Sequence, residues 1–99
     1  MAQSKRDELS ENQIHLIVKA LADRRRYEIL KRLRDSEDGL ACETVRGCMD
    51  ITPATLSHHM KELEMAGLVR VVRERKFASY LLRRDILESF FNRLRADLI

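Results

Sequence analysis

The 99-residue sequence lacks the features of several large protein classes. Its two cysteines are too few for the disulfide framework of a small secreted domain. No apolar run approaches the length that spans a bilayer, and the polar first ten residues do not resemble a signal peptide. These absences predict a cytoplasmic protein with reduced thiols and no membrane partner.

Sequence motifs for catalysis are absent as well. The chain has no glycine-rich phosphate loop, no nucleophile elbow and no cluster of metal ligands. Its three histidines do not form a ligand pair at usable spacing. We therefore expect no enzyme activity, no catalytic residue and no cofactor.

The composition that is present is typical of one folded domain. Hydrophobic residues make up 44% of the chain and charged residues 35%. The 19 Lys and Arg outnumber the 16 Asp and Glu, and the net charge of +3 permits a polyanionic partner. We assign residues 1–10 to a disordered tail and residues 11–99 to one domain, whose thin core would benefit from docking a second copy.

Apolar residues at helical spacing predict five helices separated by turn residues. They are, in order, a helix of about three turns from Glu11, residues 24–34 capped by Asp23, residues 40–49, residues 53–66, and a last helix capped by Asp85. In the second helix, Tyr27, Leu30 and Leu33 share one apolar face. Residues 68–73 and 77–82 are rich in Val, Tyr and Leu and flank a charged turn, which predicts a β-hairpin. The order α-α-α-α-β-β-α, mostly α with a β-hairpin, is that of a winged helix-turn-helix.

Residues 52–67 are predicted to form the helix that reads DNA. Thr52 can cap this helix, Pro53 suits its first position, and Gly67 suits its end. A helical wheel places Leu56, Met60 and Leu63 on a buried stripe, with His59 and Ala66 at its margin. The predicted DNA contacts on the cap and outer face are Thr52, Ala54, Thr55, Ser57, His58 and Lys61. The alternative is a solvated amphipathic helix in a protein-interaction module.

The hairpin carries the remaining predicted DNA contacts. Arg73, Arg75 and Lys76 could grip phosphates or enter the minor groove, and the alternative for each is a solvated hairpin tip. The turn contains Glu74, Arg75 and Lys76 but no glycine. Positive φ is costly for such residues, so we expect a turn wider than two residues.

Two stretches of the sequence resemble the signature of the ArsR/SmtB family of bacterial repressors, which are known for sensing metals. The first is Lys-Ala-Leu-Ala-Asp-Arg-Arg-Arg at 19–26, followed by Ile29-Leu30. The second is Thr-Pro-Ala-Thr-Leu-Ser-His-His-Met-Lys-Glu-Leu at 52–63, followed by Ala-Gly-Leu-Val at 66–69. The resemblance covers residues 14–98 and implies a homodimer that binds a pseudo-palindromic operator and represses transcription. It departs from the family at the hairpin tip, where a glycine is usual.

The resemblance also implies where metal ligands would lie. The positions that correspond to the family's cysteine ligands hold Ala41, Glu43 and Arg46. Cys42 and Cys48 fall instead on positions expected to face the core, where a thiol packs as a small hydrophobe.

A second family site lies on the last helix. Asp85 and Glu88 are available there, but that helix has no histidine, and carboxylates alone suit zinc or nickel poorly. We therefore predict no metal at either site. A thiol switch at Cys42 or Cys48 remains the alternative, with Arg46 near enough to favour a thiolate.

The last helix has more apolar surface than one thin core needs, which is typical of an interface. The alternative is that it packs only within its own chain. The predicted interface residues are Ile86, Phe90 and Leu94 on the last helix, with Ile14, Ile17, Val18 and Leu21 on the first. Such a two-fold contact would present two reading helices about 34 Å apart to successive major grooves of double-stranded DNA.

The leading hypothesis is a homodimeric transcriptional repressor that is not metal-responsive. The alternatives are a thiol- or metal-responsive sensor of the same fold and a winged-helix protein-interaction module.

Overall fold

The chain folds into five helices and a three-stranded sheet over residues 9–99, the part that the computed structural model describes. The helices are α1 (Glu11–Leu21), α2 (Arg24–Arg34), α3 (Cys42–Met49), α4 (Pro53–Met65) and α5 (Arg84–Leu98). The strands are β1 (Leu40–Ala41), β2 (Val69–Glu74) and β3 (Phe77–Leu82). This order confirms the winged helix-turn-helix architecture that the sequence predicts.

Local capping sets where three of the helices begin. The Ser10 hydroxyl accepts a hydrogen bond from the Gln13 amide at 3.0 Å, and the Thr52 hydroxyl accepts one from the Thr55 amide at 3.1 Å. The Asp23 carboxylate accepts from the amides of Arg25 and Arg26 at 2.8 and 3.2 Å. Each cap satisfies amides at a helix start that have no partner within the helix.

The sheet runs antiparallel in the order β1-β3-β2. Glu74 pairs with Phe77, so only Arg75 and Lys76 form the hairpin loop, and Arg75 has a φ of 57°. The expectation of a wider turn was therefore wrong. All six residues of β2 pair with β3, so only two residues remain for the loop. Arg75 therefore adopts a left-handed conformation, which costs roughly 1–2 kcal/mol for a residue with a Cβ.

The predicted helix over residues 40–49 is corrected at its start, because Leu40 and Ala41 form β1 and the helix begins at Cys42. Leu40 pairs with Tyr80 of β3. Gly39 makes this approach feasible, since it has a φ of 91° and a Cβ there would lie 2.9 Å from the carbonyl oxygen of Tyr80. The chain is therefore drawn against the free edge of β3 before the helix starts.

The start of the domain and the start of the last helix also differ from the sequence-based boundaries. Residues 1–8 of the predicted tail lie outside the described residues, but Leu9 is buried and its carbonyl accepts a hydrogen bond from Arg93 Nη1 at 2.8 Å. With Ser10 acting as a cap, residues 9 and 10 belong to the domain. Asp85 does not cap α5, because it lies inside the first turn and pairs with Arg83 at 3.0 Å, and this contact lowers its pKa.

The core lies where α1, α2 and α4 meet the sheet. Its most deeply buried apolar side chains come from the first four helices and the α4–β2 connection: Ile17, Ile29, Leu33, Val45, Leu56, Leu63 and Leu68. Tyr27 departs from the predicted apolar face of α2, as it is 56% exposed while Leu30 and Leu33 are buried. Arg26, one residue before it, is buried in its place.

We predict that Gly39→Ala destabilises the protein by about 1–3 kcal/mol, because it strains a left-handed residue and forces a Cβ against the β3 backbone. Gly47→Ala is the matched control. Gly47 lies inside α3, and nothing lies within 4 Å of an added Cβ, so alanine there should stabilise by about 0.5–1 kcal/mol. Urea unfolding followed by circular dichroism measures both, and equal effects of the two substitutions would contradict the assignment.

Candidate nucleic-acid interface

Helix α4 presents two chemically different faces. Leu56, His59, Met60 and Leu63 are buried, as the helical wheel predicted. Ala54, Ser57, His58 and Lys61 are exposed, together with the cap residue Thr52, and Thr55 is half-buried. The exposed side chains near the start of α4, Ala54 and Ser57, are small, so the backbone of this first part of the helix could approach another surface closely. One turn after Ser57, the exposed side chain is the basic Lys61.

The first turn of α4 is tied together by its two threonines. The Thr52 hydroxyl donates to the Thr55 hydroxyl at 2.9 Å while accepting from the Thr55 amide. Pro53 occupies the first helical position, where no amide donor is needed.

On its inner side α4 is held by a buried arginine. Arg26 Nη1 lies 3.2 Å from His59 Nδ1, and Arg26 Nε donates to the Ala20 carbonyl at 2.9 Å. Both side chains are nearly enclosed, with 9% of Arg26 and 7% of His59 exposed. Burial lowers the pKa of His59 and the positive charge of Arg26 adds to this, although Asp23 acts in the opposite direction. The ring behind the reading face is therefore neutral at physiological pH.

The hairpin lies beside α4 and forms a cleft with it. The cleft is lined by Ser57, Met60, Lys61, Glu64, Val71, Arg73 and Tyr80. It brings together two of the sequence-predicted cations, Lys61 of α4 and Arg73 of β2, which are 12 positions apart in the chain. Arg75 and Lys76 are exposed at the tip, further along the same hairpin.

The sequence reasoning assigned no role to two residues of this region, although one of them, Arg26, lies within the family signature at 19–26. Phe77 is 65% exposed at the hairpin tip, next to Lys76. Arg26 is buried although its type is almost always exposed. The Asp23-x-x-Arg26 spacing at a helix start was the available signal, since it places the arginine next to the cap carboxylate.

The two cysteines of α3 differ in burial. Cys42 is half-buried, packs against the core and hydrogen-bonds to Tyr80, whereas Cys48 is exposed. The expectation that both thiols face the core is therefore wrong for Cys48, which lies in the last turn of α3 and is exposed to solvent. Burial, followed by the Cys42 contact, raises the pKa of Tyr80 to about 12.

The family's metal positions hold no ligand cluster in this chain. Ala41 and Glu43 are exposed and Arg46 is half-buried. Within residues 9–99, no three His, Cys, Asp or Glu side chains come close enough together to hold a metal ion. The described helices also include none with the length and apolar character needed to cross a bilayer.

The apolar ridge of α5 packs mainly inside its own chain. Ile86 and Phe90 are 8% and 3% exposed, and Ile17 of α1 is fully buried. The predicted interface is corrected at these three residues, because the protomer's own core covers them. Ile14, Leu21 and Leu94 are half-buried and Val18 is exposed.

A second apolar set on α5 lies beside the predicted interface residues and borders solvent. Phe91 is 57% exposed and lies between two depressions. One is lined by Leu21, Tyr27, Leu30, Lys31, Arg34, Leu82 and Leu87, and the other by Asn92, Leu94, Arg95, Leu98 and Ile99. We call this surface the Phe91 patch. It is the largest run of exposed apolar side chains that α5 offers.

Comparison with known proteins agrees with this architecture. Residues 21–72, just over half the chain, match the model of a helix-turn-helix domain family. Among solved structures, a homodimeric winged helix-turn-helix DNA-binding domain from Mycobacterium bovis, a possible ArsR-family transcriptional regulator, is 30% identical. The match covers 98% of this chain and 91% of that one, with a TM-score of 0.72.

More distant structures share the fold. An ArsR-like transcriptional regulator from Rhodococcus sp. RHA1 is 20% identical over 86% of this chain and 78% of that one, with a TM-score of 0.77. The transcriptional repressor BigR from Xylella fastidiosa is 20% identical over 98% of each chain, with a TM-score of 0.66. With the family model, the 30% identical relative and the winged architecture in agreement, the chain belongs to the ArsR family of winged helix-turn-helix transcriptional regulators.

Proposed function

We propose that the protein is a cytoplasmic, homodimeric transcriptional repressor that binds a pseudo-palindromic operator without a metal effector. The observation that carries this proposal is the single surface formed by α4 and the hairpin. Lys61 and Arg73 line the same cleft, and the hydroxyl-bearing start of α4 is exposed beside it. A basic surface with hydrogen-bonding groups on one helix is what double-stranded DNA requires.

The exposed face of α4 supplies sequence readout in this proposal. Ala54 allows the helix start to approach the major groove closely. Ser57 and His58 present hydrogen-bonding groups to base edges, and Thr55 adds a half-buried hydroxyl. The N-terminal half of α4 therefore recognises the DNA sequence, while Lys61 adds a positive charge that faces the phosphates.

The hairpin supplies affinity more than specificity. Arg73, Arg75 and Lys76 are exposed cations without an ion pair among the described residues. Phosphate contacts by such groups release counterions and give salt-dependent binding with little sequence information. The left-handed Arg75 directs a cation from the very tip of the wing, which fits a minor-groove or phosphate contact.

Self-association is supported by the Phe91 patch. An exposed aromatic residue bordered by Leu82, Leu87 and Leu98 is typical of a buried interface rather than of free surface. The relative from Mycobacterium bovis is homodimeric, and BigR is a transcriptional repressor. A two-fold dimer through α5 would place two α4 helices about one DNA turn, roughly 34 Å, apart.

Lys61→Ala and Arg75→Ala should each weaken DNA binding by about threefold to tenfold and reduce the salt slope of the affinity by about one, because each removes one phosphate-facing charge. Fluorescence anisotropy with a duplex selected from a random-sequence library measures the effect. Arg32→Ala is the matched control, since Arg32 is an exposed cation of α2 that pairs with Glu28 and lines neither the cleft nor the Phe91 patch. Affinity that is negligible at low salt, or equal in all four proteins, would identify α4 as a protein-interaction surface instead.

Phe91→Glu should weaken the dimer by about thirtyfold or more, because it introduces a charge at the centre of an apolar interface. Phe77→Glu is the control, since Phe77 is similarly exposed, at 65% against 57%, but lies on the hairpin. Sedimentation equilibrium over a concentration series gives both dissociation constants. A monomeric wild-type protein, or equal effects of the two substitutions, would remove the Phe91 patch from the interface.

Zinc and EDTA should each change operator affinity by less than about threefold, whereas allosteric effectors commonly change affinity by roughly fivefold or more. The physical reason is that no close group of three His, Cys, Asp or Glu side chains exists within residues 9–99. Anisotropy titrations with and without each additive measure this, and a large zinc-dependent release of DNA would overturn the metal-independent part of the proposal.

A further inference from the structure

The Arg26 side chain joins three separate parts of the fold. Its Nε and Nη2 donate to the carbonyls of Ala20 and Lys19 at 2.9 and 3.3 Å, at the end of α1. Its Nη1 lies 4.0 Å from Asp23 Oδ2 in the connection to α2 and 3.2 Å from His59 Nδ1 in α4. Because the Ala20 carbonyl in the last turn of α1 has no partner within the helix, Arg26 satisfies this carbonyl while it contacts α4.

The hydrogen bond to His59 has only one workable protonation state. Arginine has five N–H donors and no acceptor, so His59 Nδ1 must be the acceptor. The ring is then neutral and carries its proton on Nε2. A proton added to Nδ1 would replace the hydrogen bond with two donors facing each other across 3.2 Å in a nearly enclosed space.

The charges around His59 come from both elements that pack on it. Asp23, Arg25 and Arg26 lie on the α2 side, and His58 precedes it on α4, with the two imidazole centroids 5.8 Å apart. Burial lowers the pKa of His59 below 6.5; Asp23 opposes this, and Arg26, His58 and Arg25 lower it further. The structure therefore favours the neutral ring.

We infer that Arg26 and His59 are positioning residues that hold the rotation of α4, and that protonating His59 loosens this hold and weakens DNA binding. The inference rests on the proposed function, because it assumes that α4 contacts DNA. His59 does not touch the exposed face itself. It acts through the helix on which Ser57, His58 and Lys61 are displayed.

The two adjacent histidines respond to acid with opposite signs. His58 is exposed on the DNA-facing side, so a proton there adds a positive charge and strengthens binding. His59 is buried on the opposite side, so a proton there breaks the Arg26 contact and weakens binding. The sign of the pH dependence therefore identifies which histidine controls affinity.

The same protonation affects stability in a defined direction. The pKa of His59 is lower in the folded protein than in the unfolded chain, so the unfolded state binds more protons as the pH falls. The stabilisation is complete above pH 6.5 and is lost as the pH falls through the lowered folded value. DNA binding must therefore be measured only where circular dichroism shows the protein to be fully folded.

The experiment compares His58→Asn with the double variant His58→Asn/His59→Asn, so that the opposing histidine is removed from both. Asparagine can place its side-chain oxygen near the position of Nδ1, where it accepts from Arg26 without titrating. We expect the affinity of H58N for a selected duplex to fall by about threefold or more from about pH 7.5 to about pH 5.5, and that of the double variant to stay level. An equal fall in both proteins would overturn the inference.

Imidazole ¹⁵N chemical shifts of H58N provide a measurement that does not depend on the folding of the double variant. We expect an unprotonated Nδ1, and α4 amide resonances that shift with the same midpoint as the His59 ring. The positioning role would be overturned by a protonated Nδ1 at neutral pH. It would also be overturned if the α4 amide chemical shifts did not change with the protonation of the His59 ring. Absence of DNA binding at about pH 7.5 would contradict the proposed function instead. The chemical shifts would then still test whether the Arg26–His59 contact holds α4.

Discussion

Helix α4 is held from one side only, and the rest of the structure depends on this constraint. Its inner stripe, centred on Leu56 and Leu63, is completely buried, whereas the face one half-turn away must stay free. A helix held along one stripe can still roll about its own axis, because apolar contacts have little directional preference. The Arg26–His59 hydrogen bond adds a direction at the middle of α4. Packing keeps α4 in place, and in our inference this polar contact adds the restraint on its rotation.

The parts of the fold with local signals could be predicted from the sequence. Thr52 and Pro53 mark the start of α4 through capping chemistry that involves only neighbouring residues, and the 3.6-residue period separates His58 from His59. Strand β1 could not be found this way. Its two residues pair with β3 about 40 positions later, so only the folded chain creates a reason for them to be extended.

Periodicity also identifies residues that share a face without identifying what covers it. Ile86 and Phe90 form an apolar ridge in the sequence, and the protomer's own core covers them. The adjacent Phe91 breaks the ridge pattern and is the residue that remains exposed. The same limit applies to Arg26, since composition predicts an exposed arginine, and only the meeting of α1, α2 and α4 supplies enough acceptors to bury it.

Burying an arginine in so small a core is costly unless its donors are matched, and here most of them are. Two backbone carbonyls, a nearby carboxylate and an imidazole surround the guanidinium. An apolar residue of similar size could hold α4 with equal or greater strength, as replacements of buried ion pairs often do, but it would leave the Lys19 and Ala20 carbonyls without this donor and would not specify one rotation of the helix. For a protein whose function depends on the direction of a few side chains, the orientation set by Arg26 matters more than the stability that an apolar core could add.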